Sequence, residues 1–433
     1  MISILFKGNP LSVTPAPSSG SQATQTSPPR KSPLCRLLPV LTLLLTLITP
    51  HTSWSDDTLL RHIKNGGYII EDGNDRHRYR QNDLFVPAST LKILTSLVAL
   101  EYLGPDYRFE THFFLDGQGN LYIKGYGDPL LTSEIVLEIG TTLSTMGIHR
   151  LQSICLDDTA FDLRGETAGE ETSANSYDAP NGALAVNFNA VSLSVGEKGR
   201  IISDEPQTPL LPLMRELGAG LDPGSYRLNI DTLPSPPGES ASLRYVGELF
   251  SAQFQKASIS LQQGWKIKAV PGKMRPILVY RSRANLTEII KDCLHYSNNF
   301  IANQLFLACG IHTSGLPATW EKSRRAFSNY TEKILHLPKG LPIMLEGSGL
   351  SRKNLISPSA FIPILNRFKP FAPLLKQRET LPLKSGTLTG VYCFAGYFPK
   401  GDDLVPFALL LNQSENTRNQ LLKELQFLTT GQM

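Results

Sequence analysis

At 433 residues the chain has room for two or three domains, and its 41% hydrophobic and 18% charged content is that of a globular protein. Its 42 Lys and Arg against 38 Asp and Glu leave a net charge of +4 with no dense basic run, which argues against a nucleic-acid binder.

Residues 10–33 are rich in Ser, Thr, Pro, Gly and Gln and read as disordered. Arg30, Lys31 and Arg36 lead into an apolar run from Leu37 to Ile48, whose 12 residues fall short of the roughly 20 that span a bilayer. With the small residues Ser53 and Ser55 after it, this is the pattern of a secretory signal peptide, cut after about Ser55. Cys35 would leave with it. The remaining Cys155, Cys293, Cys309 and Cys393 allow three pairings, among which the sequence does not choose. No CxxC pair and no ligand-spaced histidine cluster point to a metal.

Beyond the leader, Gly67–Glu71 has the pattern of a short strand closed by the turn Asp72-Gly73-Asn74. The spacing of Leu91, Leu94, Leu97 and Val98 predicts a helix over Ala88–Tyr102, with Pro87 at its start and Gly104-Pro105 at its end. From about Asp106 to Pro271 the texture changes to strand-like runs (Asn120–Lys124, Val191–Val195, Ser258–Leu261) among Gly, Pro and Asp turns. Residues 204–239 are the richest in Pro and Gly. This stretch reads as an inserted, largely β region. Leu278–Tyr280 follows as a strand and Leu286–Ala308 as one or two helices. Ser357-Pro358 caps a helix ending near Phe368. Val391–Phe398 and Leu404–Leu411 read as adjacent antiparallel strands, and Thr417–Leu428 as a closing helix.

Three short motifs carry chemistry. Ser89-Thr90-Leu91-Lys92 is the only S-x-x-K tetrad, and positions three apart on a helix face the same way. The Lys92 amine could then take the proton of Ser89, provided that burial lowers its pKa. Ser297-Asn298-Asn299 is an S-x-N element at the beginning of a helix. There Ser297 could relay a proton, and the Asn299 amide could hold Lys92 and a substrate carbonyl. Lys384-Ser385-Gly386-Thr387 is a K-[ST]-G-T element beside a strand. Lys384, Ser385 and Thr387 could clamp a carboxylate, and Gly386 allows close backbone approach. The Thr387 and Ser89 amides could form an oxyanion hole. Each motif alone is more simply a cap, a polar turn or a strand edge; the decision rests on their occurring together and in this order.

That order resembles the penicillin-binding proteins and serine β-lactamases. Pro87 to Lys92 followed by Leu103 to Phe109 narrows the likeness to the D-alanyl-D-alanine carboxypeptidases/endopeptidases of low-molecular-mass class C, peptidase family S13. Gly127-Asp128-Pro129, Asn187-Phe188-Asn189, Gly347 to Arg352, Lys384 to Gly390 and Ala395-Gly396-Tyr397 point the same way. So does the long insertion: 208 positions separate Ser89 from Ser297. Asn298 stands where that family usually has Asp, Ser385 where it has Thr, and Glu346 where it has Asp, and the insertion looks somewhat short.

The resemblance implies an α/β (α+β) fold, a β-lactamase/transpeptidase-like domain with an antiparallel sheet flanked by helices and interrupted by a β-rich insertion. The expected divisions are a leader at residues 1–55, peptidase domain at 56–106 and 272–433, and insertion at 107–271. It implies acylation of Ser89 with Lys92 as base, Ser297 and Asn299 assisting, and Lys384, Ser385, Gly386 and Thr387 binding substrate. The expected partners are peptidoglycan peptides ending in D-Ala-D-Ala, and β-lactams as covalent inhibitors. The family needs no cofactor or metal. The mature chain would be periplasmic, without a transmembrane helix. The alternatives are a β-lactamase or esterase on the same scaffold, or a catalytically weak wall-binding protein.

Overall fold

The computed structural model describes residues 56–73, 75–163, 173–232 and 240–431, so the leader, its signal peptide and Cys35 lie outside the described residues. A six-stranded antiparallel sheet joins the two ends of the chain. Its order is Gln377–Arg378, Leu381–Leu388, Val391–Lys400, Asp403–Leu411, Gly66–Asp72 and Asp75–Tyr79. Strand side chains alternate between faces. Phe407, Leu409 and Leu411 therefore pack with Leu421, Leu422 and Leu425 of the closing helix Arg418–Thr430. Ala408 and Leu410 face the opposite core, where they meet the helices. With both faces covered, the strand Asp403–Leu411 reads as an apolar run rather than an alternation.

The helix that follows Ser89 runs from Lys92 to Leu103, and its residues 92–100 are all buried. A helix that is apolar all round belongs in the middle of a core. It packs between the sheet and the helix Asn299–Ser314, whose residues 300–310 are buried as well. Pro358–Phe368 covers the sheet beside it, with the Ser357 hydroxyl accepting from the Ala360 amide at 3.2 Å, an N-cap with proline at the first helical position.

Among the described residues the stretch between these halves holds two larger sheets and a two-stranded parallel one, Arg150–Leu151 with Ser260–Leu261. Trp265–Ile267, Ser153–Asp157, Asn120–Gly125, Glu110–Leu115 and Leu278–Arg281 form a mixed five-stranded sheet in that order; Ile201–Ser203, Ala190–Val195 and Gly224–Asn229 form an antiparallel three-stranded one. They share a second core. Two long helices, Ser133–Thr145 and Ala241–Lys256, also fill this core and were not expected. The first was readable: Val136, Ile139, Gly140 and Leu143 are its buried face at helical spacing. Residues 204–239 hold a helix (Pro212–Gly218) and a strand (Gly224–Asn229), while Ser258–Leu261 shrinks to a strand at Ser260–Leu261, because Ser258 turns left-handed (φ 63°). Leu278–Arg281 is a strand, but its partner is Glu110–Leu115 in the inserted sheet, so that sheet continues past residue 271. Cys155, Cys293, Cys309 and Cys393 are all free and buried. Among the described residues no helix is long and apolar enough to cross a membrane.

Candidate active site

Ser89 lies in a tight turn of 3-10 helix, Ala88–Leu91, that runs into the helix at Lys92. In that geometry side chains three apart eclipse each other. The Lys92 amine accordingly reaches the Ser89 hydroxyl at 3.0 Å. The turn is strained: Ala88 has φ 47°, a left-handed conformation that costs an L-residue about 1–3 kcal/mol. Gly349 holds the turn in place. Its backbone approaches so closely that a Cβ there would fall 2.0 Å from the Ala88 carbonyl oxygen.

Lys92 is fully buried and donates to three acceptors: the Ser89 hydroxyl, Asn299 Oδ1 at 2.7 Å and the Ser348 carbonyl at 2.7 Å. The last two can only accept, because the Asn299 amide is oriented by its Nδ2 donating to the Tyr177 carbonyl at 3.1 Å. A neutral amine keeps two N–H groups for these acceptors and must turn its lone pair toward Ser89. Burial lowers the Lys92 pKa to about 8, with Cys293 and Glu346 opposing the shift.

The Ser348 carbonyl is aimed by a buried carboxylate. Glu346 accepts from the amides of Ser348 (2.7 Å), Gly349 (2.9 Å) and Ser351 (3.2 Å) and from Asn354 Nδ2 (2.5 Å). Asn303 and Thr95 bind the backbone of Gly347 between them. The Gly347–Arg352 loop is thus part of the site, through a backbone oxygen that no motif identifies.

Ser297-Asn298-Asn299 is a joint between two helices rather than a simple beginning. Ser297 ends Leu286–Tyr296 in the left-handed conformation (φ 57°), Asn298 caps the next helix by accepting from the Ile301 amide at 2.9 Å, and Asn299 is its first residue. The Ser297 hydroxyl accepts from Lys384 Nζ at 2.9 Å, and that amine also donates to the Ser385 carbonyl at 2.8 Å. Burial, reinforced by the charge on Lys92, lowers the Lys384 pKa to about 7.

Lys384 and Gly386 lie on the strand Leu381–Leu388, facing the Ser89 turn; a Cβ at 386 would fall 3.1 Å from the Ser89 nitrogen. Ser385 and Thr387 point to the opposite face. Past Pro382 this strand has only one hydrogen-bonded neighbour among the described residues, so its other edge is open. Behind it, Arg418 donates to the Gly386 carbonyl (2.8 Å) and to Thr387 Oγ1 (2.7 Å), a neighbour that the sequence motifs did not reveal. Hydrogen bonds thus join Ser89, Lys92 and Asn299 in one set and Ser297 and Lys384 in a second, with Ser385, Gly386 and Thr387 on the adjoining edge.

This arrangement of layers recurs in penicillin-binding protein 4 (dacB) from Haemophilus influenzae, which superposes with a TM-score of 0.72 at 20% identity over 86% of this chain and 99% of that one. The fold is therefore that of the penicillin-binding serine hydrolases. The chain belongs to the D-Ala-D-Ala carboxypeptidase 3 (S13) family, whose model matches residues 62–212 and 239–383, and it is a serine-type carboxypeptidase. It is 22% identical to a D-alanyl-D-alanine carboxypeptidase of Actinomadura sp. (strain R39), over 82% of this chain and 79% of the relative. It is also 22% identical to the D-alanyl-D-alanine carboxypeptidase DacB of H. influenzae, over 80% and 85%. The Haemophilus fold has also been solved complexed with a novel β-lactam (TM-score 0.67, 19% identity), and a predatory endopeptidase of Bdellovibrio bacteriovorus superposes at 0.52 with 15% identity.

Proposed function

We propose that Ser89 is the acylated nucleophile and Lys92 its base. The reading is carried by one observation: a buried amine lies 3.0 Å from the Ser89 hydroxyl, and its other two acceptors leave its lone pair nowhere else to point. Ser89 Oγ attacks the carbonyl of the penultimate D-Ala of a peptidoglycan stem peptide and gives its proton to Lys92. The oxyanion lies between the amides of Ser89 and Thr387. The proton passes through Ser297, hydrogen-bonded to Lys384, to the nitrogen of the leaving D-amino acid as the C–N bond breaks. Water then attacks the ester, with Lys92 again taking a proton. Lys384, Ser385 and Thr387 receive the terminal carboxylate, and Asn299 holds Lys92 and the substrate carbonyl. Where the leaving amine belongs to a second stem peptide, the same steps cut a cross-link, the endopeptidase reaction. Penicillins present the same carboxylate beside a strained amide and acylate Ser89. Work on peptidoglycan puts the enzyme outside the cytoplasm, and the N-terminal pattern favours periplasmic export. We place the peptidase domain at residues 56–106 and again after the strand Leu278–Arg281, which belongs to the inserted sheet, with the inserted region between.

The test is labelling by a fluorescent penicillin with product analysis on purified peptidoglycan. Ser89→Ala should abolish labelling and lower peptide hydrolysis by about 10⁴-fold or more. Equal labelling of parent and variant would refute the nucleophile.

A further inference from the structure

Arg418 is the first residue of the closing helix, where a cation works against the helix dipole. It is half-buried, with its Nε buried and without a partner. Its guanidinium carbon lies 4.6 Å from the centre of the Phe394 ring, and that of Arg378 lies 5.0 Å from the same ring. Among the described residues no carboxylate pairs with either arginine, and burial, followed by the charge of Arg378, disfavours the charge on Arg418. An unneutralised guanidinium, partly desolvated against a ring behind an open strand edge, is a poor stabilising device. It is a suitable one for an anion that arrives later.

We propose that Arg418 is the positioning residue of the carboxylate clamp: by donating to Thr387 Oγ1 it forces the Thr387 hydroxyl to donate toward the open edge, where the substrate's terminal carboxylate lies. A guanidinium has only donors, so Thr387 Oγ1 can meet it only as an acceptor. The single hydroxyl proton must then point elsewhere, and Thr387 is exposed, on a strand whose other edge is open. Without Arg418 the hydroxyl is free to rotate, and it can present a lone pair to an incoming carboxylate as readily as a proton. The bond to the Gly386 carbonyl at 2.8 Å fixes the same guanidinium to the strand, so its charge stays behind the clamp. Desolvation against the ring strengthens that charge as seen through the hydroxyl. Selection for a free terminal carboxylate over a neutral amide thus depends on a residue that the substrate does not touch. This rests on the carboxylate clamp proposed above.

The experiment compares kcat/KM for one peptide ending in D-Ala-D-Ala and for the same peptide as its terminal carboxamide. It uses the parent, Arg418→Met, Arg418→Lys, Thr387→Val and the double variant Arg418→Met/Thr387→Val. Arg418→Met should lower kcat/KM for the acid by roughly 10- to 100-fold, the usual effect of a hydrogen bond to a charged group, and leave the amide within about threefold. Arg418→Lys should retain part of the preference. Thr387→Val should match Arg418→Met, and the double variant should be no worse than either single one. Equal losses on acid and amide, or losses that multiply in the double variant, would overturn the proposal. If Arg418→Met does not fold, Thr387→Val and Arg418→Lys decide: an unchanged acid-to-amide ratio in both sinks the idea. Ser89→Ala runs alongside, since hydrolysis that survives it refutes the nucleophile and not the role of Arg418.

Discussion

The peptidase core and the inserted region both bury polar networks, yet only one is built for chemistry. In the insertion, Asn187 accepts from the Ser133 amide at 2.9 Å and donates at 2.8 Å to both the Ser133 and Tyr245 hydroxyls. Ser133 meets Thr208 at 2.7 Å, and Thr208 donates to Glu205 at 3.0 Å. These partners all come from the insertion itself. Burial pushes the Tyr245 hydroxyl pKa up and so keeps it neutral. In the peptidase core the corresponding groups are two amines whose pKa values are pushed down, toward the neutral form that a base needs. The Lys92 network ends on Ser89, which is only partly buried. Strain does not separate the regions either: Ala88 and Ser297 are left-handed at the site, and Asn187, Phe188 and Asn189 are left-handed in the insertion. There the strain serves a joint, turning Phe188 edge-on to Phe300 of the helix that carries Asn299, with ring centres 6.1 Å apart. What marks the site is a polar network whose last member is open to solvent and whose charges are left unneutralised.

That contrast is open to direct attack. The largest effect should follow Lys92→Met, which removes the base and should lower acylation of Ser89 by about 10²–10⁴-fold, read by stopped-flow penicillin labelling. In the parent, the acylation rate should rise with pH along a limb centred near 8 and level off above it, because the reactive species is the neutral amine and burial has brought its pKa down from 10.5 to about 8. A limb centred near 10 would mean a solvated lysine and remove the basis of the contrast.

Next comes Glu346→Gln. An amide can offer one acceptor oxygen where the carboxylate accepts from four donors, so at least one buried N–H loses its partner. Stability should fall by about 1–3 kcal/mol in denaturant titrations. Acylation should slow in the correctly folded fraction too, because the Ser348 carbonyl that orients Lys92 is no longer held. Unchanged acylation per folded molecule would show that this carboxylate is only structural. The smallest effect on chemistry should come from the insertion. A Cβ at Gly247 would meet the Trp265 ring at 2.3 Å, so Gly247→Ala should cost about 1–3 kcal/mol by overpacking while leaving the acylation rate of the folded protein unchanged. A slowed rate there would show that the second core is coupled to the first.

Much of the local structure was legible. Ser357-Pro358 starts its helix through a side-chain cap and a fixed φ, both properties of adjacent residues. The final strands pair as expected, Val391–Lys400 against Asp403–Leu411, since each is an apolar run flanking a short turn. Ser89 and Lys92 meet because three positions on a helical turn bring them together whatever lies outside it. The helices Ser133–Thr145 and Ala241–Lys256 were missed because the turn-rich texture around them outweighed their own spacing. Leu278–Arg281 was recognised as a strand, but strand propensity does not name a partner 165 or so positions away, and its register with Glu110–Leu115 depends on the whole intervening chain.

The sequence by itself determined the residue types of the chemistry, their order, and the short-range geometry of the S-x-x-K turn, because side-chain identity and helical spacing are local properties. Only the tertiary structure decided how Lys92 is buried and which acceptors its amine meets. That depends on the Ser348 carbonyl, on Glu346 beneath it and on an amide fixed by the Tyr177 carbonyl. It also depends on burial, which no single residue carries in its name. Arg418 belongs to the same class: its role comes from a helix docking behind a strand, a long-range packing event that backbone atoms and desolvation settle and that spacing along the chain does not encode.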